Sequence, residues 1–326
     1  MSETHVGMPV QERMRAPEGF SLEGEYARSF QTLNRAGILS ILPDCEFVGV
    51  VDAEGKEYPA PRLAEVRRAL FGDKEKDGEE KVKEKQAFIE EKMRQGFTRL
   101  QLTPLAMPLS TLADRAGGII RKHAEQGNIF QAKRNPDDPD TPVRVNTDEP
   151  IWMWDKLVPS EQNGELVYFP KSFTQQNHRG LTKAEAIADP TICAVPGWSV
   201  SLVEDTPFLP QQGQGETRGG RKQPETNHSP NDYLKTFTEP GYKGETGWTH
   251  EDFLTNFLTH LEETNQVSHD WDDYSASWLT GVYHAKDGVV PFARWDRIYG
   301  QVRVNGNTPD YRAGNWGASS TVRFSL

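Results

Sequence analysis

Two kinds of apolar spacing in these 326 residues predict an α+β protein built in two parts. Residues 1–145 place apolar side chains at three- and four-residue intervals, as helices with one buried stripe do, around one short alternating stretch. Residues 146–326 hold short alternating stretches separated by runs of Gly, Asn, Asp and Pro, as strands joined by turns do. The expected architecture is a mainly helical N-terminal domain with a small hairpin, followed by a strand-rich and loop-rich C-terminal domain. Pro136, Pro139 and Pro142 interrupt a polar run that cannot sustain a regular element, and the boundary is placed there, at about 145.

In the N-terminal part, residues 1–18 read as a polar arm. Leu22, Tyr26, Phe30 and Leu33 predict a helix that Gly37 stops. Residues 47–51 alternate as a strand, the turn residues 52–55 follow, and a helix carrying Leu63, Val66 and Leu70 comes next. The charge-dense stretch 72–96 interleaves acids and bases, which supports a solvated helix, with Val82, Ile89 and Met93 as its thin apolar stripe. Residues 97–107 read as extended, and Ser110 reads as the cap of a helix carrying Leu112, Ala116, Ile119 and Ile120.

In the C-terminal part, 151–154 and 166–169 read as strands, 181–188 as a short helix, and 198–203 as the cleanest strand in the chain. Residues 209–231 read as loop. Ser229-Pro230 opens a short helix, with proline at the favoured first position. Thr249 and Asp252 form a capping-box-like start for a stronger helix whose apolar face is Phe253, Phe257, Leu258 and Leu261. Residues 278–283 and 289–295 read as strands, and two further stretches, 302–304 and 321–324, close the chain.

Composition narrows the function classes. A hydrophobic fraction of 35% is low for a globular chain, but eight Trp, nine Tyr and fifteen Phe argue against wholesale disorder. Net charge is −11, and no Lys/Arg run builds a basic groove, so no nucleic-acid partner is expected. Only Cys45 and Cys193 are present, the N-terminus shows no signal-peptide pattern, and no apolar run reaches membrane-spanning length. Reduced thiols, a cytoplasmic location and no membrane span are the expectation.

Chemistry-bearing motifs are few. His269-Asp-Trp-Asp-Asp273 could ligate calcium, but it lacks the ligand spacing and turn glycine of a known calcium loop and reads as a solvated acidic loop. His250 and His260 point roughly 80° apart on one helix and make no zinc pair. Arg218-Gly-Gly-Arg-Lys222 reads as a mobile loop, with an anion cradle as the alternative. Cys45 and Cys193 read as small buried residues and not as nucleophiles. No Walker A, zinc-protease, nucleophile-elbow or dinucleotide motif occurs, and neither metal nor cofactor is expected.

The richest stretch is the last thirty residues. Asn305-Gly306, Thr308-Pro-Asp310 and Gly314-Asn315 are turn signals lying between two strands. Tyr299, Tyr311, Arg303, Arg312 and Trp316 are residue types that carry binding energy when exposed. Trp295-Asp-Arg, Pro309-Asp-Tyr-Arg312 and Asn315-Trp-Gly-Ala-Ser-Ser-Thr-Val-Arg323 together resemble the variable region of target proteins of diversity-generating retroelements. That family closes on a pattern like N-x-G-A-R-S-x-V-R, and Ser319 stands here where the family has Arg.

The resemblance covers about 150–326 and implies a C-type lectin fold of the formylglycine-generating-enzyme type, with twisted antiparallel strands, two helices and long loops. It implies a non-catalytic binding protein that displays replaceable residues within 294–318 toward a protein or glycan partner. Display positions would be Arg294, Asp296, Ile298, Tyr299, Arg303, Asn305, Asn307, Tyr311, Asn315 and Trp316, with Val302, Val322 and Phe324 as scaffold. A metal-dependent oxidase or sulfoxide synthase on the same fold would need clustered histidines, for which His250, His260, His269 and His284 are available. A structural or assembly protein is the third class, since the role of residues 1–145 is open.

Overall fold

The computed structural model describes residues 20–44, 47–133, 135, 137–206, 208–270 and 275–325. The arm 1–18 and Cys45 lie outside the described residues. Helix α1 (Leu22–Arg35) begins where Ser21 accepts the Gly24 N–H at 3.2 Å and ends before Gly37, which has φ +61°. Strands β1 (Ser40–Ile41), β2 (Val48–Val51) and β3 (Glu57–Pro59) form a small antiparallel sheet, so the expected hairpin gains a third strand. Helices α2 (Leu63–Phe71) and α3 (Lys74–Arg94) follow; Val82, Ile89 and Met93 are buried as a thin stripe.

Strand β4 (Phe97–Thr103) leads to α4 (Leu109–Glu125). Ser110 is not its cap. The helix starts one residue earlier, and the carboxylate of Glu161 accepts the Leu109 N–H at 3.0 Å, an acceptor supplied from 52 positions away. A carboxylate at a helix N-terminus is stabilised by the helix dipole, so the tertiary partner replaces the local one.

The second part runs β5 (Ile151–Met153), α5 (Leu157–Gln162), β6 (Leu166–Tyr168), α6 (Lys183–Ala188), β7 (Ser199–Glu204), β8 (Thr217–Arg218), β9 (Arg221–Lys222) and α7 (Pro230–Thr236). It continues through β10 (Glu245–Gly247), α8 (His250–Thr264), β11 (Ala276–Trp278), β12 (Val282–His284), β13 (Val290–Asp296), β14 (Gln301–Asn307), β15 (Trp316–Ala318) and β16 (Ser320–Arg323). The capping box at Thr249 forms as read, and the helix opened by Ser229-Pro230 also starts with one. The stretch 278–283 is two strands, because Leu279, Thr280 and Gly281 turn the chain. A side chain at Gly281 would meet the Gly247 carbonyl at 2.4 Å, so the close backbone approach requires glycine.

The fold is mixed α+β, with eight α-helices among the described residues. Four of them, α5 to α8, lie beyond residue 145, against the two implied by the resemblance. One sheet has the order β10-β16-β7-β4 and is antiparallel throughout. The other has the order β15-β11-β13-β14-β5; its centre is antiparallel, but both margins, β11 with β15 and β14 with β5, are parallel. Helix α8 supplies Phe253, Leu254, Phe257, Leu258 and Leu261 to the core, and the Phe257 ring stacks on Trp295 at 6.1 Å.

Residue 145 is not a break in the packing. β4 pairs with β7 along its length, and one apolar cluster reaches from Leu22 to Phe324. Lys92 of α3 is buried against Glu245 of β10 at 2.9 Å. The stretch 218–222 is neither open loop nor anion cradle: Arg221 is buried in the β8–β9 hairpin and pairs with Glu204 and with Glu245, the latter at 2.8 Å. Arg323 closes the chain on Asp252 of α8, a buried ion pair whose disruption would cost about 3–5 kcal/mol.

Candidate ligand-facing surface

The five-stranded sheet sets the geometry of the terminal segment. Successive residues of a strand face opposite sides, and directly paired residues share a side. Ala293, Trp295, Val302 and Val304 are buried on the core side. On the other side Phe292 pairs with Asn305, Arg294 with Arg303, and Asp296 with Gln301. Trp152 of β5 is the lateral neighbour of Arg303 in the parallel register.

This outer side has two unlike ends. At the β15–β11 end Trp316, Trp278 and Phe292 pack in an apolar cluster with Tyr233 and Phe237 of the α7 segment. The Trp316 ring centroid is 4.0 Å from Phe292 and 4.9 Å from Trp278. The 226–232 stretch also holds the loop before β15: Thr226 donates to the Gly314 carbonyl at 2.8 Å, Asn231 to Asp310 at 2.8 Å, and Asp232 pairs with Arg312 at 3.0 Å. Tyr311 lies at the rim of this cluster, 41% exposed and 5.3 Å from the Trp316 ring.

At the β14–β5 end nothing comparable covers the sheet among the described residues. Arg294, Arg303, Asn305, Asn307 and Trp152 are half-buried, and Tyr299 is 53% exposed on the turn between β13 and β14. The Arg303 guanidinium carbon lies 4.3 Å from the Trp152 ring centroid and 4.5 Å from that of Tyr299. Two rings thus flank one cation, each contact worth about 0.5–2 kcal/mol. Arg294 bonds Asp296 at 2.8 Å and lies over Phe292.

The ten expected display positions therefore separate. Ile298, Tyr299 and Tyr311 are exposed, and Arg294, Arg303, Asn305, Asn307 and Asn315 are half-buried. Asp296 and Trp316 are interior residues. Asp296 is 2% exposed and accepts the backbone N–H groups of Ile298 at 3.1 Å and Tyr299 at 3.4 Å, so it builds the turn. Gly300 completes that turn at φ +67°, a conformation that favours glycine. Trp316 belongs to the covered cluster and presents no free face. Val302, Val322 and Phe324 are buried. The residue that sequence reasoning missed is Trp152; its strand was legible, but its parallel place beside β14 had no local signal.

Ser319, standing where the resembled pattern has Arg, lies 3.3 Å from His269 and 3.3 Å from Ser277. His269 is buried between the rings of Trp248 and Phe253, and burial pushes its pKa down to about 3. Asp270 of the same acidic stretch is bound by Arg297 at 2.7 Å, while Asp272 and Asp273 lie outside the described residues. Among the described residues no three His, Cys, Asp or Glu side chains are placed to hold one metal ion.

Two other polar groupings are already occupied with their own neighbours. Ser160 lies 2.5 Å from Nε2 of His284, and Asp287 Oδ2 lies 3.6 Å from its Nδ1. The Asp287 backbone N–H, however, points at Nδ1 from 3.3 Å. With Nδ1 accepting, Nε2 carries the proton and donates to the serine, the reverse of what activates a nucleophile. A cavity of about 660 Å³ opens between the β2–β3 turn and α6. Lys183 and Glu161 line its wall, and Lys183 is already engaged by Glu161, by Glu251 and by the Met107 carbonyl. Cys193 also lines it, with burial pushing its thiol up to about 12. Among the described residues no helix is long and apolar enough to cross a membrane. Comparison with known protein families, with characterised proteins and with solved structures finds no match to this chain.

Proposed function

We propose that this chain is a non-catalytic ligand-binding protein of the kind served by diversity-generating retroelements, with a C-type lectin-like C-terminal part. Its ligand surface is the open end of the five-stranded sheet, and its partner is a protein, with a glycan as the other class that aromatic stacking would serve. The observation that carries this reading is the alternation along β13 and β14. Arg294, Arg303, Asn305 and Asn307 lie half-buried on the outer side, while Ala293, Trp295, Val302 and Val304 hold the same strands to the core.

Such an arrangement separates recognition from folding. Surface changes away from special backbone positions shift stability by about half a kcal/mol or less, whereas losing a core side chain costs several. A segment whose exposed positions alone are replaced can therefore change partner without losing its frame.

The test is genetic. The flanking DNA should hold a reverse transcriptase and a near-copy of the gene's 3′ end. Among sister copies, substitutions should fall at codons 294, 298, 299, 303, 305, 307, 311 and 315 and spare Val302, Val304, Trp316 and Val322. Substitutions spread evenly over buried and exposed codons, or no template copy at all, would overturn the reading.

A further inference from the structure

We infer that Trp152, Arg303 and Tyr299 form a carboxylate-binding clamp and that the ligand presents an acidic polypeptide segment to it. This rests on the display surface proposed above and adds its chemistry. Arg303 supplies the cation. It is half-buried at the centre of the open end, and no carboxylate or hydrogen-bond acceptor engages its guanidinium among the described residues. Other arginines of the terminal segment do not share that state: Arg294, Arg312 and Arg323 each pair with an aspartate.

The chain carries 48 acidic and 37 basic residues, so an arginine left without an acid is not explained by a shortage of partners. Its planar group is instead steadied by the two rings at 4.3 and 4.5 Å. A guanidinium held by its faces keeps its N–H edge for a ligand, and that edge matches a carboxylate in a two-bond fork. Holding the side chain in place beforehand also removes part of the ordering entropy that binding would otherwise lose. The overall negative charge works against a long polyanion such as nucleic acid, whose binding grows with the number of phosphates neutralised. A single carboxylate in a polypeptide is the better fit to one clamp.

Trp152 has a second consequence. It belongs to β5, far upstream of the terminal segment, so replacement confined to 294–318 leaves it unchanged. It is a constant aromatic wall beside changing positions, and it favours flat side chains, arginine or aromatic, at position 303.

The experiment uses the full chain labelled with ¹⁵N and follows the Trp152 indole and Arg303 Nε–H signals. Acetylated tetraglutamate amide should shift both saturably, and its tetraglutamine counterpart should not. Arg303→Lys, which keeps the charge but loses the fork, should weaken the shift at Trp152 at least tenfold, and Trp152→Ala should do the same for Arg303. Arg67→Ala, a change on the distant α2, should leave both responses intact. Equal response to the two peptides, response only at other basic residues, or response to a short oligodeoxynucleotide in preference to tetraglutamate would overturn the inference. Those outcomes leave the display reading standing, since that reading fails on the codon pattern and not on this titration.

Discussion

The two ends of one sheet face use the same residue types for opposite purposes. At the β15–β11 end, Trp316, Trp278 and Phe292 are covered by Tyr233 and Phe237 and act as a second core. At the β14–β5 end, Trp152, Tyr299 and Arg303 have similar chemistry and, among the described residues, no such cover. The difference lies in the 225–242 stretch, which folds over one half of the face and stops short of the other. Aromatic residues on a strand therefore do not announce their role; what packs above them decides it.

The largest effect that would test this contrast is on stability. Trp316→Ala should lower the unfolding free energy in urea by about 3–5 kcal/mol, because it empties a packed position. Tyr299→Ala, which loses one part-exposed ring contact to Arg303, should change it by about 1 kcal/mol or less. Similar losses for both would erase the distinction between the two ends.

Acid should act on the interior and not on the open face. Burial holds His250 down to about 4 and His269 down to about 3, so both are neutral in the fold and take a proton readily once unfolded. Between about pH 6.5 and pH 3 the unfolded chain binds more protons, and stability falls as pH drops through that window. His250→Gln and His269→Gln should each flatten this slope, whereas Tyr299→Ala should leave it unchanged. A slope unaffected by either histidine would refute the assignment.

A smaller effect is expected at the turn. Asp296→Ala removes the acceptor of two backbone N–H groups and of Arg294, and should cost about 1–3 kcal/mol. The milder Asp296→Asn, which keeps one acceptor oxygen for the turn, should recover part of that loss. The smallest effect belongs to Asn305 and Asn307, whose side-chain oxygens accept the neighbouring Gly306 and Thr308 backbone N–H groups. Alanine at either should shift the urea midpoint barely, and a shift above about 1 kcal/mol would show that these positions belong to the frame.

Much of this fold was legible where the signal is local. The Thr249 capping box, the Gly37 stop and the alternation of 198–203 are decided by neighbours in sequence, and each element formed where they point. What escaped is decided at a distance. The α4 start depends on Glu161, the β5–β14 register on a parallel contact across half the chain, and α5 contains Pro159 with no side-chain cap to announce it. Within the terminal segment the Gly- and Asn-rich setting of Trp316 read as surface, since nothing nearby foretold Tyr233 and Phe237. Asp296 read as polar and exposed, although its carboxylate is spent on its own turn.

One consequence follows from the place of β16. It lies between β10 and β7, yet it is translated after every residue of the outward-facing segment. A premature stop or a slipped reading frame within 294–316 would delete an interior strand, bare two edges and leave Asp252 without Arg323. A folded molecule therefore requires the reading frame to be kept through the last strand, whatever changes precede it.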